Sequence, residues 1–179
     1  MKFLYNNKIL TLLIVFITVL KSDAANLPVV ILSGDNGGLT TGEDWQSSSL
    51  DNKISLILYV DPDKKGDAEP LVRKLDSLNY SPDTLNITFI LNTAATIIPD
   101  FIIHKMIKKK AKKSDTITYV LDEKKVLVKK WNLADNEINI LLLDTDGNIL
   151  EKHQGNMTTQ YLNQFINKIN NLINKGDVK

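Results

Sequence analysis

The chain contains no cysteine. That absence removes thiol–disulfide exchange and thiol peroxidase chemistry, because a thiolate is the obligate nucleophile in both. It also removes a lipid anchor carried on cysteine and any disulfide that would reinforce the core. Arginine is nearly absent too: Arg73 is the only one, and lysine carries the rest of the positive charge. Arginine makes the bidentate contacts to phosphates and base edges, so its scarcity argues against sequence-specific nucleic-acid binding. Histidine occurs twice, at His104 and His153, and neither lies in a metal-ligand spacing. No metal site is expected from them. Neither sign of charge is in excess, the net value being +1 over 179 residues.

What is present is a hydrophobic fraction of 43%, enough for a real core. The first apolar run, Ile9–Leu20, follows Lys2 and Lys8 and is followed by the small residues Ser22 and Ala24. It is shorter than the about 20 residues of a transmembrane helix and has the layout of a secretory signal peptide. Without a twin arginine, the general secretory route is expected. Residues 1–24 are therefore read as a signal peptide cleaved near Ala24, with an uncleaved membrane anchor as the alternative, and 25–179 as a single periplasmic domain that does not span the membrane after cleavage. Removing Lys2, Lys8, Lys21 and Asp23 takes the net charge from +1 to about −1, so the slight positive bias belongs to the leader.

Beyond the leader, a short strand is predicted at Val29–Leu32 and a turn at Gly34–Gly38. Ile54–Val60 and Leu85–Leu91 are continuous apolar runs of strand length, as in central strands covered on both faces. Between them, Ala68, Leu71, Val72, Leu75 and Leu78 recur at helical spacing. Pro99 suits the start of a second helix, with Phe101, Ile102, Ile103, Met106 and Ile107 as its expected buried face. Lysines at 108–110, 112 and 113 suit the negative end of its dipole. Thr116–Leu121 and Ile138–Leu143 are two further strands, and Val126–Trp131 reads equally as strand or helix. Asp144-Thr145-Asp146-Gly147-Asn148 turns the chain into a hairpin with Ile149–His153, and the last helix starts at Thr158. Alternating strands and helices force parallel pairing with right-handed crossovers, and the hairpin adds antiparallel strands. The fold class is α/β, a three-layer sandwich of the thioredoxin-like kind, with a mixed central sheet and an N-terminal strand or hairpin extension.

Several phrases sharpen this. Trp45-Gln46-Ser47-Ser48 with Leu50 and Lys53, Tyr59-Val60-Asp61-Pro62-Asp63, Tyr119-Val120-Leu121-Asp122, Val128-Lys129-Lys130-Trp131-Asn132-Leu133 and the hairpin through Gly155 occur in order. Together they resemble the YtfJ family of Gram-negative periplasmic proteins, from about Leu39 to Ile173. The resemblance implies a fold and a compartment but no established reaction.

In thioredoxin-like enzymes a Cys-x-x-Cys motif follows the first central strand, where the helix N-terminus lowers the thiol pKa. Asp61-Pro62-Asp63-Lys64 stands there in this chain, and no proline lies near Glu137 and Ile138, where the fold's usual cis-proline would be. The candidate binding residues are Asp61, Pro62, Asp63 and Lys64, with Asn92 and Thr93 in the neighbouring loop near Asn92–Thr96. Two readings of Asp61 and Asp63 stay open: a turn, or a carboxylate pair able to act as an acid–base or cation site at the carboxyl edge of the sheet. Asp144–Gly147 lacks the spacing of a calcium loop and reads as a turn. Lys105–Lys113 is either a solvated helix end or an anion-facing patch. Trp45 and Trp131 are expected to be packing residues. Taken together, a non-catalytic binding or accessory protein is expected, with no catalytic residues and no cofactor, whose partner is an envelope protein or small ligand and not nucleic acid. A carboxylate-dependent enzyme and an envelope-surface binder are the alternatives.

Overall fold

The computed structural model describes residues 26–50 and 52–176, so the expected leader lies outside the described residues. The strands are β1 (Ile31–Leu32), β2 (Gly37–Leu39), β3 (Trp45–Gln46), β4 (Ser55–Val60), β5 (Asn86–Asn92), β6 (Ile117–Asp122), β7 (Asn139–Leu143) and β8 (Ile149–Gln154). The helices are α1 (Lys65–Leu78), α2 (Asp100–Ala111), α3 (Val126–Trp131) and α4 (Thr159–Gly176).

Every position of β4 is buried, as its unbroken apolar run requires of a central strand. It pairs in parallel with β5 and antiparallel with β7. β5 pairs in parallel with β6 on its other side. The six-stranded sheet has the order β2-β6-β5-β4-β7-β8, and β1 and β3 form a separate two-stranded ribbon. The β7–β8 turn is held by Asp144, whose Oδ1 accepts from the Asp146 and Asn148 amides at 2.9 and 2.8 Å. This is a hairpin turn, as its Asp-Gly signal implies.

The alternation of side chains along β4 divides the core in two. Leu56, Leu58 and Val60 face a cluster built from α1, α2 and α4, including Leu71, Leu75, Ile103, Phe165 and Ile169. Ile57 and Tyr59 face the other cluster, where α3 contributes Leu127 and Trp131 and the N-terminal segment contributes Leu32, Trp45 and Leu50. The result is the expected three-layer α/β sandwich with a mixed sheet and an N-terminal extension.

Three expectations need correction. The first strand is confined to Ile31–Leu32, and Val29 is exposed. The expected turn at Gly34–Gly38 is instead a 3₁₀ turn leading into β2, which adds an edge to the main sheet beside β6. Finally, α2 buries only Ile103 and Ile107, while Phe101, Ile102 and Met106 are exposed. At about 100° per residue, apolar positions 101, 102, 103, 106 and 107 spread over more of the helix than one contact face can cover. Val126–Trp131, left open between strand and helix, is a helix.

Candidate functional site

The carboxyl ends of three parallel strands lie side by side, and each apolar run ends on a polar residue. Asp61 follows β4, Asn92 ends β5, and Asp122 ends β6 opposite Asn92 in register. All three are buried, at 2%, 0% and 0% exposure. In open α/β sheets this edge is where ligands bind.

Asp61 and Asn92 meet directly: Asn92 Nδ2 donates to Asp61 Oδ1 at 2.7 Å. Asp61 Oδ2 and Asn92 Oδ1 are both buried with no hydrogen-bond partner. Burial raises the Asp61 carboxyl from its ordinary pKa, and Asp135 pushes in the same direction. The Asn92 amide, Lys125 and the backbone amide of Asn136 oppose the rise without cancelling it. A buried polar atom without a partner is costly, and native structures hold few of them.

Asp63 takes no part in that pair. Pro62–Lys64 forms a single 3₁₀ turn that carries the chain into α1. Asp61 is turned inward and buried, whereas Asp63 is exposed and accepts from Thr96 Oγ1 at 3.4 Å. The two carboxylates therefore do not form a pair. Pro62 and Lys64 are partly buried in the same turn, and Thr93 is buried at the start of the 3₁₀ turn after β5. Among the described residues, no group of three or more acidic or histidine side chains is placed to hold a metal ion.

Asp122 is saturated where Asp61 is not. Its carboxylate accepts from Tyr59 Oη at 3.1 Å and from the amides of Val126 and Leu127 at 2.8 and 2.9 Å. Those two amides begin α3, so the carboxylate caps that helix from the end of β6. Burial raises the Tyr59 hydroxyl well above its ordinary pKa, and the Asp122 charge adds to it. Asp122 also explains why Val126–Trp131 is helical, which periodicity alone leaves undecided.

The loop opposite Asp61 is where the proline of thioredoxin-like enzymes would stand. Here Asn139 holds it: the Asn139 side chain accepts from the Ala134 amide at 2.8 Å and donates to the Ala134 carbonyl at 2.9 Å. Lys125 Nζ lies 2.8 Å from Asp135 Oδ1, tying this loop to the start of α3. No cis peptide bond occurs among the described residues. Tyr59, Asp122, Lys125 and Asp135 were not among the sequence candidates. The signal that could have found Asp122 is a polar residue closing a buried parallel strand, as Asn92 does in register with it.

The remaining candidates are placed as follows. Trp45 and Trp131 are buried edge to face, with ring centroids 6.2 Å apart, and Trp131 Nε1 donates to the Pro28 carbonyl at 2.8 Å. His104 Nε2 lies 3.0 Å from Glu123 Oε1. His153 stacks on Tyr161 at 4.6 Å. No helix among the described residues is long and apolar enough to cross a membrane.

Comparison with known proteins places the fold and the family. The chain is similar to the thioredoxin domain of a thiol-disulfide oxidoreductase from Bacteroides vulgatus, with a TM-score of 0.56, 16% identity, and 81% of this chain and 95% of that one covered. It is also similar to StoA from Bacillus subtilis, with a TM-score of 0.55, 17% identity, and coverage of 80% and 98%. A third similar structure is the exposed lipoprotein thioredoxin Etrx1 from Streptococcus pneumoniae, with a TM-score of 0.53, 13% identity, and coverage of 79% and 99%. At such identities the likeness establishes a thioredoxin-like fold and nothing about chemistry. No curated protein matches the chain. A family model described as "Bacterial protein of unknown function (YtfJ_HI0045)" matches residues 32–172, and the chain belongs to that family.

Proposed function

We propose that the protein is an exported periplasmic binding or accessory protein that uses a thioredoxin-like scaffold without catalysis, formed by residues 25–179 after removal of the leader. The observation that carries this reading is the Asp61–Asn92 pair, buried at the carboxyl edge of the sheet with one unpartnered oxygen on each residue. Two unpartnered acceptors on a hydrogen-bonded pair of residues call for a hydrogen-bond donor from a partner, such as an amide or amine group. The surrounding contact surface is the Pro62–Lys64 turn, with Thr93 and Thr96 beside it. A photo-crosslinking residue at Asp63, in the native organism, tests this. A discrete adduct that disappears in an Asp61→Ala, Asn92→Ala background is expected. Absence of any adduct on the mature protein, or one unaffected by those changes, would remove the reading. Mass spectrometry of the same material reports whether the N-terminus begins near Ala25.

A second reading, contact with the envelope surface through Lys105–Lys113, gains support from one observation. The same helix exposes Phe101 and Ile102 at its start and Met106 among the lysines, with a fully exposed Ile97 just before it, so exposed apolar side chains accompany the lysines. Apolar insertion with lysines at the headgroup level is how interfacial helices bind anionic bilayers. Co-sedimentation with vesicles containing about 30% anionic lipid tests it. Binding that vanishes in Lys105→Gln, Lys109→Gln protein supports the reading, and binding that persists discards it.

A further inference from the structure

A groove of about 430 Å³ runs between α1 and α2. Its floor is the central strand β5, where Phe89 and Leu91 retain 8% and 7% exposure although Ile90, on the opposite face, is at 0%. Of α2 only Ile103 and Ile107 are buried, and Phe89 and Leu91, though largely buried, remain part of the groove lining. Ala68 and Val72 form one wall, Ile103 and Met106 the other, and Ile98 adjoins them. The volume falls in the range of about 300–1,000 Å³ found for small-molecule pockets.

The rim carries charge of mostly one sign. Arg73 from α1 and Lys110 from α2 line the groove from opposite sides, and Lys65 lines it as well. The only carboxylate in the lining is Glu69, which lies 3.1 Å from Arg73 one helical turn away. Lys65 and Lys110 make no ion pair among the described residues. An apolar floor with a cationic rim complements a molecule that has an apolar tail and an anionic head.

A peptide does not suit the groove. β5 is already paired with β4 and β6, so its backbone offers no free ladder to an incoming strand. Peptide amides laid over Phe89 and Leu91 would lose water without gaining partners. A hydrocarbon chain has no such groups to satisfy. We propose that this groove binds a single-chain anionic amphiphile of the fatty-acid type, with the chain over Phe89 and Leu91 and the head between Arg73 and Lys110.

The test compares three monomeric probes of equal chain length on the purified protein, each below its micelle-forming concentration: dodecanoate, dodecanol and dodecyltrimethylammonium. Calorimetry reads affinity, and amide NMR shifts at Phe89, Leu91 and Met106 read location. Dodecanoate is expected to bind about fivefold more tightly than dodecanol, with the cation weakest, as partly exposed ion contacts allow. Arg73→Ala should weaken dodecanoate by about fivefold and leave dodecanol unchanged. Met106→Asp, at an exposed wall position, should weaken both while leaving the melting temperature unaltered. Lys105→Gln, Lys109→Gln protein should keep dodecanoate binding even if it loses vesicles, which separates this site from a membrane-facing helix. No saturable dodecanoate binding, equal affinity for all three heads, or insensitivity to Arg73→Ala and Met106→Asp would each overturn the proposal.

Discussion

Asn92 donates to one oxygen of Asp61 at 2.7 Å, while the other Asp61 oxygen and the Asn92 carbonyl oxygen are buried without partners. The two residues close neighbouring parallel strands, so the arrangement follows from the register of β4 and β5. A stability-optimised chain would leave neither oxygen bare. Residues that cost folding energy at the ligand-binding edge of a sheet are expected where a function has kept them.

That cost has a definite pH dependence. Burial raises the Asp61 carboxyl from its ordinary value, so the folded state holds the proton more tightly than the unfolded chain. The favourable contribution is fully present below the unfolded value and is lost as pH rises through the folded one. Above the unfolded value, holding this raised, half-paired carboxyl in a buried site is therefore a net burden. Asp61→Asn keeps the acceptor for Asn92 and removes the charge. It is expected to gain about 1 kcal/mol at pH 7, or about 2–4 °C in Tm, with the gain vanishing near pH 3. Thermal unfolding between pH 3 and 8 measures it, and equal stability of the two proteins at pH 7 would refute it.

Asp122 predicts the opposite behaviour, because its oxygens are satisfied. Replacing it by alanine strands the Tyr59 hydroxyl and frees the first amides of α3. A loss of about 2–4 kcal/mol is expected, against about 1 kcal/mol for Tyr59→Phe, which removes one of the carboxylate's four bonds. Urea unfolding distinguishes the two. Amide exchange should show the added opening confined to Val126–Trp131 at sub-denaturing urea.

Gly37 places β2 against β6. Its φ is +112°, and a Cβ there would come within 2.0 Å of the Leu121 carbonyl oxygen. Since that atom is backbone within a paired strand, it cannot move aside cheaply. Gly37→Ala should cost about 2 kcal/mol or more and detach β2, whereas Gly42→Ala, at φ +99° with open space around it, pays only the backbone strain of about 1 kcal/mol. A difference in Tm between the two variants is the measurement, and equal losses would show that β2 is not held by this contact.

The sheet was legible in the chain because its strands are long apolar runs with turn signals between them. β4, β5, β6 and β7 each begin and end within a residue or so of the expected bounds. What escaped depends on tertiary contact. β2 is three residues, two of them glycine, and carries no periodicity of its own. The exposed side of α2 was hidden because helical spacing reports that residues are apolar, not how far a neighbouring layer extends over them. The Asp61–Asn92 meeting is half legible: both positions fall in loops expected after neighbouring buried strands, but that Asp63 turns away depends on the 3₁₀ geometry of the Pro62 turn. Asp122 is not legible as a cap in the sequence, because a capping carboxylate needs a helix to cap and the periodicity of Val126–Trp131 fits strand and helix alike.

The hairpin and the last helix are joined by a cluster that titrates at both ends of the pH scale. Glu151 on β8 accepts from Lys168 and, at 2.7 Å, from the Tyr161 hydroxyl, both on α4. The Lys168 hydrogen bond, followed by that of Tyr161, lowers the Glu151 pKa. Its stabilising contribution is therefore present above the unfolded value and lost as pH falls through the folded one. Burial and the Glu151 hydrogen bond push the Tyr161 hydroxyl up to about 12. Its contribution is present below the unfolded value of 10.0 and is lost as pH rises from there toward about 12. Both groups are partly exposed, which limits each effect to about 0.5–1 kcal/mol. Tyr161→Phe should abolish the alkaline limb and shift the Glu151 carboxyl upward, while Lys168→Met should raise it further and leave an alkaline limb from Tyr161. A carbon-detected NMR titration of Glu151 reads the acid side directly. A Glu151 titration unchanged in Lys168→Met protein would show that the lysine does not hold the carboxylate, and that the Tyr161 hydroxyl is its polar tie to α4.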